Sequence, residues 1–217
     1  MQSFMVIGIG RFGNALAREL YKDGHEVLVI DQNEEYIQKI ADEVTHAVVG
    51  DATDQQVLDA VGARNFDCAI VAIASDIQDS ILVTLMLKEM GVGYVIAKAR
   101  NSMHTKVLEK IGADKVVFPE HEMGQRLAQV IAMKNVIDYL ELSDDYSIME
   151  IVAPKSWYGK TLREIDVRAK FGITVIAVRD EKNGDLTVSL HAEFKIEEGN
   201  ILIVLGANED IEELNNI

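Results

Sequence analysis

Three glycines near the start of the chain have the spacing of a phosphate-binding turn. Gly8, Gly10 and Gly13 follow an apolar run at residues 4–7 and lead into an amphipathic segment. Glycines at these positions let a strand turn tightly into a helix, bring the backbone against a pyrophosphate and allow the helix to pack closely on a sheet. The spacing therefore predicts a nucleotide-binding turn.

A carboxylate follows this turn at the distance that a ribose requires. Asp31 comes directly after the apolar run 26–30 and 23 residues after Gly8. At the end of a second strand, a carboxylate can accept hydrogen bonds from both ribose hydroxyls of an adenine nucleotide. The order strand, glycine turn, helix, strand and aspartate is far more specific than a glycine triplet alone.

Cations near these residues are candidates for contacts with phosphate. Arg11 and Phe12 lie within the glycine turn, where Arg11 is placed to contact a phosphate bound in its own subunit or in a neighbouring one. A solvated arginine on the first helical turn is the alternative. Lys98 ends the fifth predicted strand, and we expect it to contact a phosphate.

Small and acidic residues after the third and fourth strands are candidates for the adenine side of the site. Asp51 and Ala52 follow the third strand, where Asp51 lines an adenine pocket or simply forms a turn. Ala74 belongs to the small residues that end the fourth strand. At that position the backbone closes over a nucleotide or makes an ordinary strand-to-helix turn.

The sequence indicates a metal site or a catalytic site much less strongly than it indicates a nucleotide site. Glu120 opens the cluster Glu120-His121-Glu122, but adjacent residues do not easily aim at one ion from a single helix. The residues alone therefore favour a charged helix start, stabilised by the helix dipole. The sequence contains no HExxH, CxxC or GxSxG pattern, and its other histidines are isolated.

The elements that position these residues alternate along the first 134 residues. Short apolar runs and amphipathic stretches predict a doubly wound, Rossmann-like parallel α/β sheet, with its ligand at the carboxyl ends of the strands. The predicted strands lie near 4–9, 26–30, 46–50, 68–73, 94–98 and 115–118, and the predicted helices near 12–23, 34–43, 54–61, 77–90, 103–111 and 121–134.

The pattern then changes. Residues 135–142 are typical of a strand that starts a new unit, and later apolar runs predict several strands with one or two short helices, which make a small α+β lobe. Asn183-Gly184-Asp185, between two of these runs, predicts a hairpin. We expect two domains, residues 1–140 and residues 141–217.

The composition narrows the classes of partner. The 217 residues carry a net charge of −15, which argues against nucleic acid because phosphate binding depends on Lys and Arg. No apolar run reaches the roughly twenty residues that cross a bilayer, and the first residues are typical of a strand rather than of a signal peptide. We expect a cytosolic protein, with its single cysteine, Cys68, in the core.

Several segments together resemble the RCK (KTN) domain of potassium channels and transporters. They are the glycine turn 8–13, the strand entry 24–27, Asp31 and residues 50–54, 110–114 and 119–120. The length and residues 166–170 are most similar to the KtrA/KtrC (TrkA-type) regulators. The resemblance covers the whole chain, with an N-terminal lobe and crossover helix to about residue 140 and a C-terminal lobe beyond it.

The resemblance implies a function that the residues alone do not. Proteins of this type form octameric cytosolic rings of dimers beneath a membrane-embedded KtrB/KtrD-type potassium-translocating subunit. ATP in the N-lobe cleft favours the active ring and ADP the inactive one, and NAD(H) binds in the broader family. The C-lobes of Gram-positive members bind cyclic di-AMP, and Arg168 with Ile173 matches part of that motif. We accordingly expect a cytoplasmic regulatory subunit, held at the membrane by its partner, and not an enzyme.

The resemblance also implies roles for individual residues. Asp31 would hold the ribose, while Lys98 and the three glycines would bind the phosphates. Arg11 would reach the γ-phosphate across a subunit boundary. Glu120 matches the family glutamate that helps to hold a divalent cation, Mg²⁺ or Ca²⁺, beside the phosphates of ATP.

A protein of another class is the alternative, a small NAD-dependent oxidoreductase or other NAD(H)-binding protein with the same glycine turn. Asp31 would repel a 2′-phosphate, so such an enzyme would use NAD and not NADP. The second lobe, however, offers no paired His, Lys, Tyr or carboxylates at a spacing that suggests a substrate pocket and proton donor. The residues therefore favour a protein that binds a nucleotide without transforming it.

Overall fold

The chain forms two compact units, Met1–Pro119 and Glu120–Ile217. The computed structural model describes residues 1–73, 75–132, 135–143, 145–188 and 190–214. None of the described helices is both long and apolar enough to cross a membrane.

The first unit is a six-stranded parallel sheet in the order β3-β2-β1-β4-β5-β6, with helices in the connections. This doubly wound order confirms the predicted fold class. The strands are β1 (Ser3–Ile7), β2 (Glu26–Asp31), β3 (His46–Val49), β4 (Cys68–Val71), β5 (Val95–Lys98) and β6 (Lys115–Val117). The helices are α1 (Arg11–Lys22), α2 (Glu34–Ile40), α3 (Gln55–Ala60), α4 (Ile77–Glu89) and α5 (Ser102–Lys110).

The central strands are apolar on both faces because helices cover both sides of the sheet. Alternate residues of β1 point to opposite faces, so Met5 and Ile7 enter one core cluster while Val6 enters another. Burying each aliphatic side chain of this size contributes about 1.5–3 kcal/mol. Cys68 lies in the second cluster, where burial raises the pKa of its thiol to about 11. It is a packing residue and not a reactive thiol.

The second unit is an antiparallel sheet packed with short helices. The sheet has the order β10-β9-β11-β8-β7, and the predicted hairpin is confirmed because β9 and β10 pair across the 183–185 turn. The strands are β7 (Val136–Glu141), β8 (Tyr146–Val152), β9 (Thr174–Asp180), β10 (Leu186–Thr187) and β11 (Asn200–Ala207). The helices are α6 (Pro119–Ala132), α7 (Leu162–Ile165), α8 (Val167–Phe171) and α9 (Asn208–Leu214).

The observed units divide the chain earlier than residue 140. β7 pairs with β8 in the second sheet, and Val130 of α6 packs on the second core. Arg126 of α6 also donates hydrogen bonds to both carboxylate oxygens of Asp138 on β7, at 2.6 and 2.7 Å. These contacts group α6 and β7 with the second unit, whereas the sequence interpretation set the boundary at residue 140, within the strand that it expected to start the new unit.

Candidate functional site

A cleft of about 260 Å³ opens at the edge of the parallel sheet where its strands end. Its lining comes from the segments that follow β1, β2, β3 and β4. Open parallel sheets bind ligands at this edge, at the point where the strand order reverses, which here lies between β1 and β4. Five of the predicted residues line the cleft, namely Gly8, Gly10, Asp31, Asp51 and Ala52.

Two glycines of the turn are required by the fold itself. Gly8 has a φ of +93°, and a Cβ there would lie 3.0 Å from the backbone of Ala72 and Ile73. A Cβ on Gly13 would lie 2.0 Å from the carbonyl oxygen of Gly8. Gly10 differs, because a Cβ there would meet no described atom within 4 Å. Since Gly10 lines the cleft, the open space beside its backbone is space for a ligand.

The N-terminus of α1 differs from those of α2 to α5. Each of those four helices begins after a residue whose side chain accepts first-turn N–H groups, namely Asn33, Asp54, Asp76 and Asn101. The N-cap of α1 is Gly10, which has no side-chain acceptor, and the first turn of α1 contains no acidic residue. Its N–H groups carry the positive end of the helix dipole, which is a site for an anion such as phosphate.

Asp31 is fixed beside this turn by backbone donors. Its Oδ2 accepts the N–H of Ile9 at 2.6 Å, and its Oδ1 accepts the N–H of Asn33 at 2.8 Å. A carboxylate oxygen can accept a second hydrogen bond, so both oxygens keep capacity for ribose hydroxyls. The side chain that the sequence assigns to ribose is therefore held in place at the cleft.

Asp51 both forms a turn and lines the cleft. Its Oδ1 accepts the hydroxyl of Thr53 at 2.6 Å and the N–H of Thr53 at 2.9 Å. These two hydrogen bonds, the hydroxyl first, lower the pKa of the Asp51 carboxyl below its ordinary value of 3.8. Ala52 is buried beside it, and Asp54, two residues further along the chain, caps α3.

Lys98 is a buried cation near the start of α1. Its side chain is 7% exposed, and its Nζ lies 5.6 Å from the centre of the Phe12 ring. Arg11, the first residue of α1, is exposed. Neither cation belongs to the described lining of the cleft, and Ala74 lies outside the described residues.

Five polar lining residues are not among the predicted site residues, namely Gln32, Tyr36, Thr53, Ser75 and Asp79. Gln32 lies just beyond the end of β2, so a wider window after that strand would have included it. Thr53 and Ser75 lie in the segments after β3 and β4 from which Asp51, Ala52 and Ala74 were chosen. Tyr36 and Asp79 lie in the first turns of α2 and α4. The sequence does not show which side of a helix faces a ligand, so it gave no signal for these two.

The second unit holds two residues assigned to a second nucleotide. Arg168 lies in α8 and is exposed. Ile173 is fully buried in the core, and a Cβ on Gly206 would lie 2.7 Å from its Cγ2. A ligand on the surface of this unit therefore does not contact the side chain of Ile173 unless the core moves.

Glu120 lies in the first turn of α6. Within the described part of the chain, no three His, Cys, Asp or Glu residues are grouped so that they could hold a metal ion. A cation at Glu120 would need further ligands from a bound nucleotide or from a second subunit.

The strand order, the glycine turn after β1 and the aspartate at the end of β2 together define a nucleotide-binding domain of the Rossmann type. Comparison with known families is more specific. Residues 4–119 match the TrkA-N domain, and residues 147–217 match the TrkA-C domain. The chain therefore belongs to the TrkA (RCK) family of potassium transport proteins, as the sequence predicted.

Similar proteins extend over the full length of the chain. It is 43% identical to Ktr system potassium uptake protein A of Bacillus subtilis, over 99% of this chain and 96% of that protein. It is 47% identical to Ktr system potassium uptake protein C of the same organism, over 97% of this chain and 94% of that protein. Identity to the Ktr system potassium uptake protein A of Vibrio alginolyticus is 32%, over 97% of this chain and 94% of that protein.

Solved structures confirm the fold. The RCK domain of GsuK superposes with a TM-score of 0.70 at 22% identity, over 99% of this chain and 47% of that chain. The GsuK channel bound to NAD superposes with a TM-score of 0.68 at 21% identity, over 96% of this chain and 38% of that one. This chain thus spans less than half of either GsuK chain, and the likeness is one of fold.

Proposed function

We propose that this chain is the nucleotide-sensing regulatory subunit of a bacterial potassium uptake system, in which ATP and ADP compete for the cleft. One observation carries the proposal: the uncapped start of α1, the open space at Gly10 and the fixed carboxylate of Asp31 meet at one cleft. The full-length relatives supply the biological setting, because they are potassium uptake proteins of Ktr systems. Their role as transport proteins also favours a regulator over an enzyme.

Each part of the cleft has a role in this proposal. The ribose hydroxyls bind Asp31, and the phosphates lie against the N–H groups at the start of α1. Lys98, which is close to that turn, adds positive charge for the phosphates. The adenine lies toward Asp51 and Ala52, at the end of β3.

ATP and ADP can shift a conformational equilibrium only through contacts that differ between them. The γ-phosphate is the group that differs. We assign its recognition to Arg11 of a neighbouring subunit and to a Mg²⁺ or Ca²⁺ ion held in part by Glu120. The exposure of Arg11 leaves its side chain able to reach beyond its own subunit.

The assembly in this proposal is an octameric ring of dimers on the cytoplasmic side of a KtrB/KtrD-type membrane subunit. An apolar stripe on α6 supports self-association. Met123, Leu127 and Ile131 recur at every fourth position and are 58%, 53% and 74% exposed. Contiguous exposed apolar side chains of this kind are typical of interfaces between proteins.

Two further ligands belong to the proposal. Cyclic di-AMP would bind the second unit at the exposed Arg168. NADH competes for the first cleft as an alternative occupant, because a dinucleotide uses the same turn and the same ribose contact. Sustained turnover of NADH with a carbonyl substrate would instead identify an oxidoreductase.

Calorimetric titration of the full chain with ATP, ADP, NADH and cyclic di-AMP, with and without Mg²⁺ or Ca²⁺, tests the proposal. We expect ATP and ADP to bind competitively and to give rings of different dimensions in small-angle scattering. Failure of both adenine nucleotides to bind would overturn the sensor. Identical ring dimensions with ATP and ADP would overturn the switch.

A further inference from the structure

Asp79 is a carboxylate of the cleft that has no role in the function proposed above. It is the third residue of α4, is half-buried and lines the cleft together with Gly8 and Gly10. The exit of β4 touches the glycine turn, since the N–H of Ala72 donates to the carbonyl of Ile7 at 2.7 Å. Asp79 therefore follows the strand that adjoins the phosphate-binding turn.

The order of the strands indicates the direction in which a nucleotide bound in the cleft extends. β1 lies between β2 and β4 in the sheet. A nucleotide whose ribose binds Asp31 at the end of β2, and whose first phosphates lie at the turn after β1, extends next toward the end of β4. The group beyond the second phosphate thus approaches the side of the cleft that Asp79 lines.

The carboxylate of Asp79 differs in its hydrogen bonding from the other two carboxylates that line the cleft. Asp31 and Asp51 each accept hydrogen bonds from N–H or O–H donors of their own chain. The N–H of Asp79 donates to Asp76 at 3.3 Å, but within the described residues the Asp79 carboxylate takes part in no hydrogen bond or ion pair. In the described part of the chain, no hydrogen bond or ion pair therefore offsets the negative charge of Asp79 beside the cleft.

We propose that Asp79 is a specificity-determining residue, which disfavours a third phosphate unless a divalent cation accompanies it. The inference rests on the proposed nucleotide function and adds a condition to it. ATP carries one more negative charge than ADP at this end of the ligand. Repulsion by one further like charge at this end of the cleft, partly screened by solvent, changes the affinity roughly five- to tenfold.

A divalent cation reverses this effect. Placed between the terminal phosphate and Asp79, it turns a repulsion into two attractions, with oxygen ligands of the kind that Mg²⁺ and Ca²⁺ prefer. ATP binding should consequently depend on the cation more strongly than ADP binding does. The cleft would then sense ATP with its cation and not the nucleotide alone.

The experiment compares the full-length wild type with Asp79→Asn by calorimetry, using ATP and ADP in EDTA and in Mg²⁺. Glu89→Gln is the matched control, because Glu89 is an exposed residue at the other end of the same helix. In EDTA we expect Asp79→Asn to raise the affinity for ATP about five- to tenfold and that for ADP less than about twofold. The gain in ATP affinity on adding Mg²⁺ should shrink by a similar factor, and the control should match the wild type.

Other outcomes distinguish a failure of the role proposed for Asp79 from a failure of the proposed nucleotide function. An unchanged ATP-to-ADP ratio in both media, or an equal loss for both nucleotides, would overturn the role of Asp79 while leaving the nucleotide site intact. A wild type that binds neither nucleotide would overturn the proposed function itself. An acidic residue in a first helical turn also stabilises its helix, so unliganded melting temperatures are measured alongside. Asp79→Ser replaces Asp79→Asn if the latter does not fold.

Discussion

Replacing Gly10 by alanine separates ligand binding by the glycine turn from folding of that turn. The backbone of Gly10, at φ −72° and ψ −170°, is open to any residue, and a Cβ there would meet no described atom within 4 Å. Alanine is a poorer N-cap than glycine, at a cost of order 1 kcal/mol. For a chain of this size we expect the melting temperature to fall by about 2–4 °C.

The effect of Gly10→Ala on the nucleotide should be much larger than its effect on folding. The added methyl group enters the space that would bring the backbone against a phosphate. Displacing the phosphate by that amount loses at least one hydrogen bond to a charged group, worth about 1.5–3 kcal/mol. The affinities for ATP and ADP should both fall about ten- to hundredfold.

Gly13→Ala is the contrasting variant, since its Cβ would lie 2.0 Å from the carbonyl oxygen of Gly8. Such an overlap costs about 3 kcal/mol or more, so the melting temperature should fall by at least about 6 °C. Calorimetric titration and thermal unfolding without ligand measure both variants. Wild-type nucleotide affinity in Gly10→Ala would refute the assignment of that open space to a phosphate.

Three further predictions address the site and its scaffold. Asp31→Ala should weaken ATP and ADP by the same factor, about tenfold or more, because both contain the ribose; titration with each nucleotide checks this. Arg11→Ala should reduce mainly the difference between the two nucleotides, so equal losses would remove Arg11 from its proposed role. Burial alone would raise the pKa of Asp114, but hydrogen bonds from Lys88 and from the N–H of Val95 outweigh it and lower that pKa. The stability from this carboxylate is therefore present above its unfolded pKa of 3.8 and lost as the pH falls through the lower folded value, and acid denaturation of Asp114→Asn should lack that component.

The first unit could be predicted closely because its signals are local. A buried parallel strand is apolar on both faces, and β1, β2 and β4 all show this as short continuous runs. The glycine turn identifies β1 as the strand whose carboxyl end forms the phosphate-binding turn. Because the strands are parallel, the carboxyl ends of the other strands lie at the same edge of the sheet. The sequence therefore placed Gly8, Asp31 and Asp51 at the same edge of the sheet, where they line one cleft.

The sequence does not show a side chain's direction where that direction depends on packing between distant segments. Ile173 was matched with Arg168 to a ligand-binding motif, and close contact with Gly206 on β11 places the Ile173 side chain in the core. The strand at residues 135–142 was expected to start a new unit, but the exact boundary depends on the pairing of β7 with β8, which lies beyond the turn between them. Hydrophobic periodicity predicts neither the burial of Ile173 nor the exact boundary between the units, because both depend on how a second strand pairs or packs.

The aspartates of the first unit show why residue type alone could not complete the site. Asp54 and Asp76 use their carboxylates to cap helices, and Asp51 uses its own to close a turn. Asp31 binds two backbone N–H groups and still keeps capacity for a ligand. Asp79, within the described residues, has no donor from its own chain. Burying an uncompensated charge costs free energy unless a ligand or ion compensates it, so the number of donors that reach each carboxylate separates aspartates whose hydrogen bonds serve the fold from those that keep capacity for a ligand.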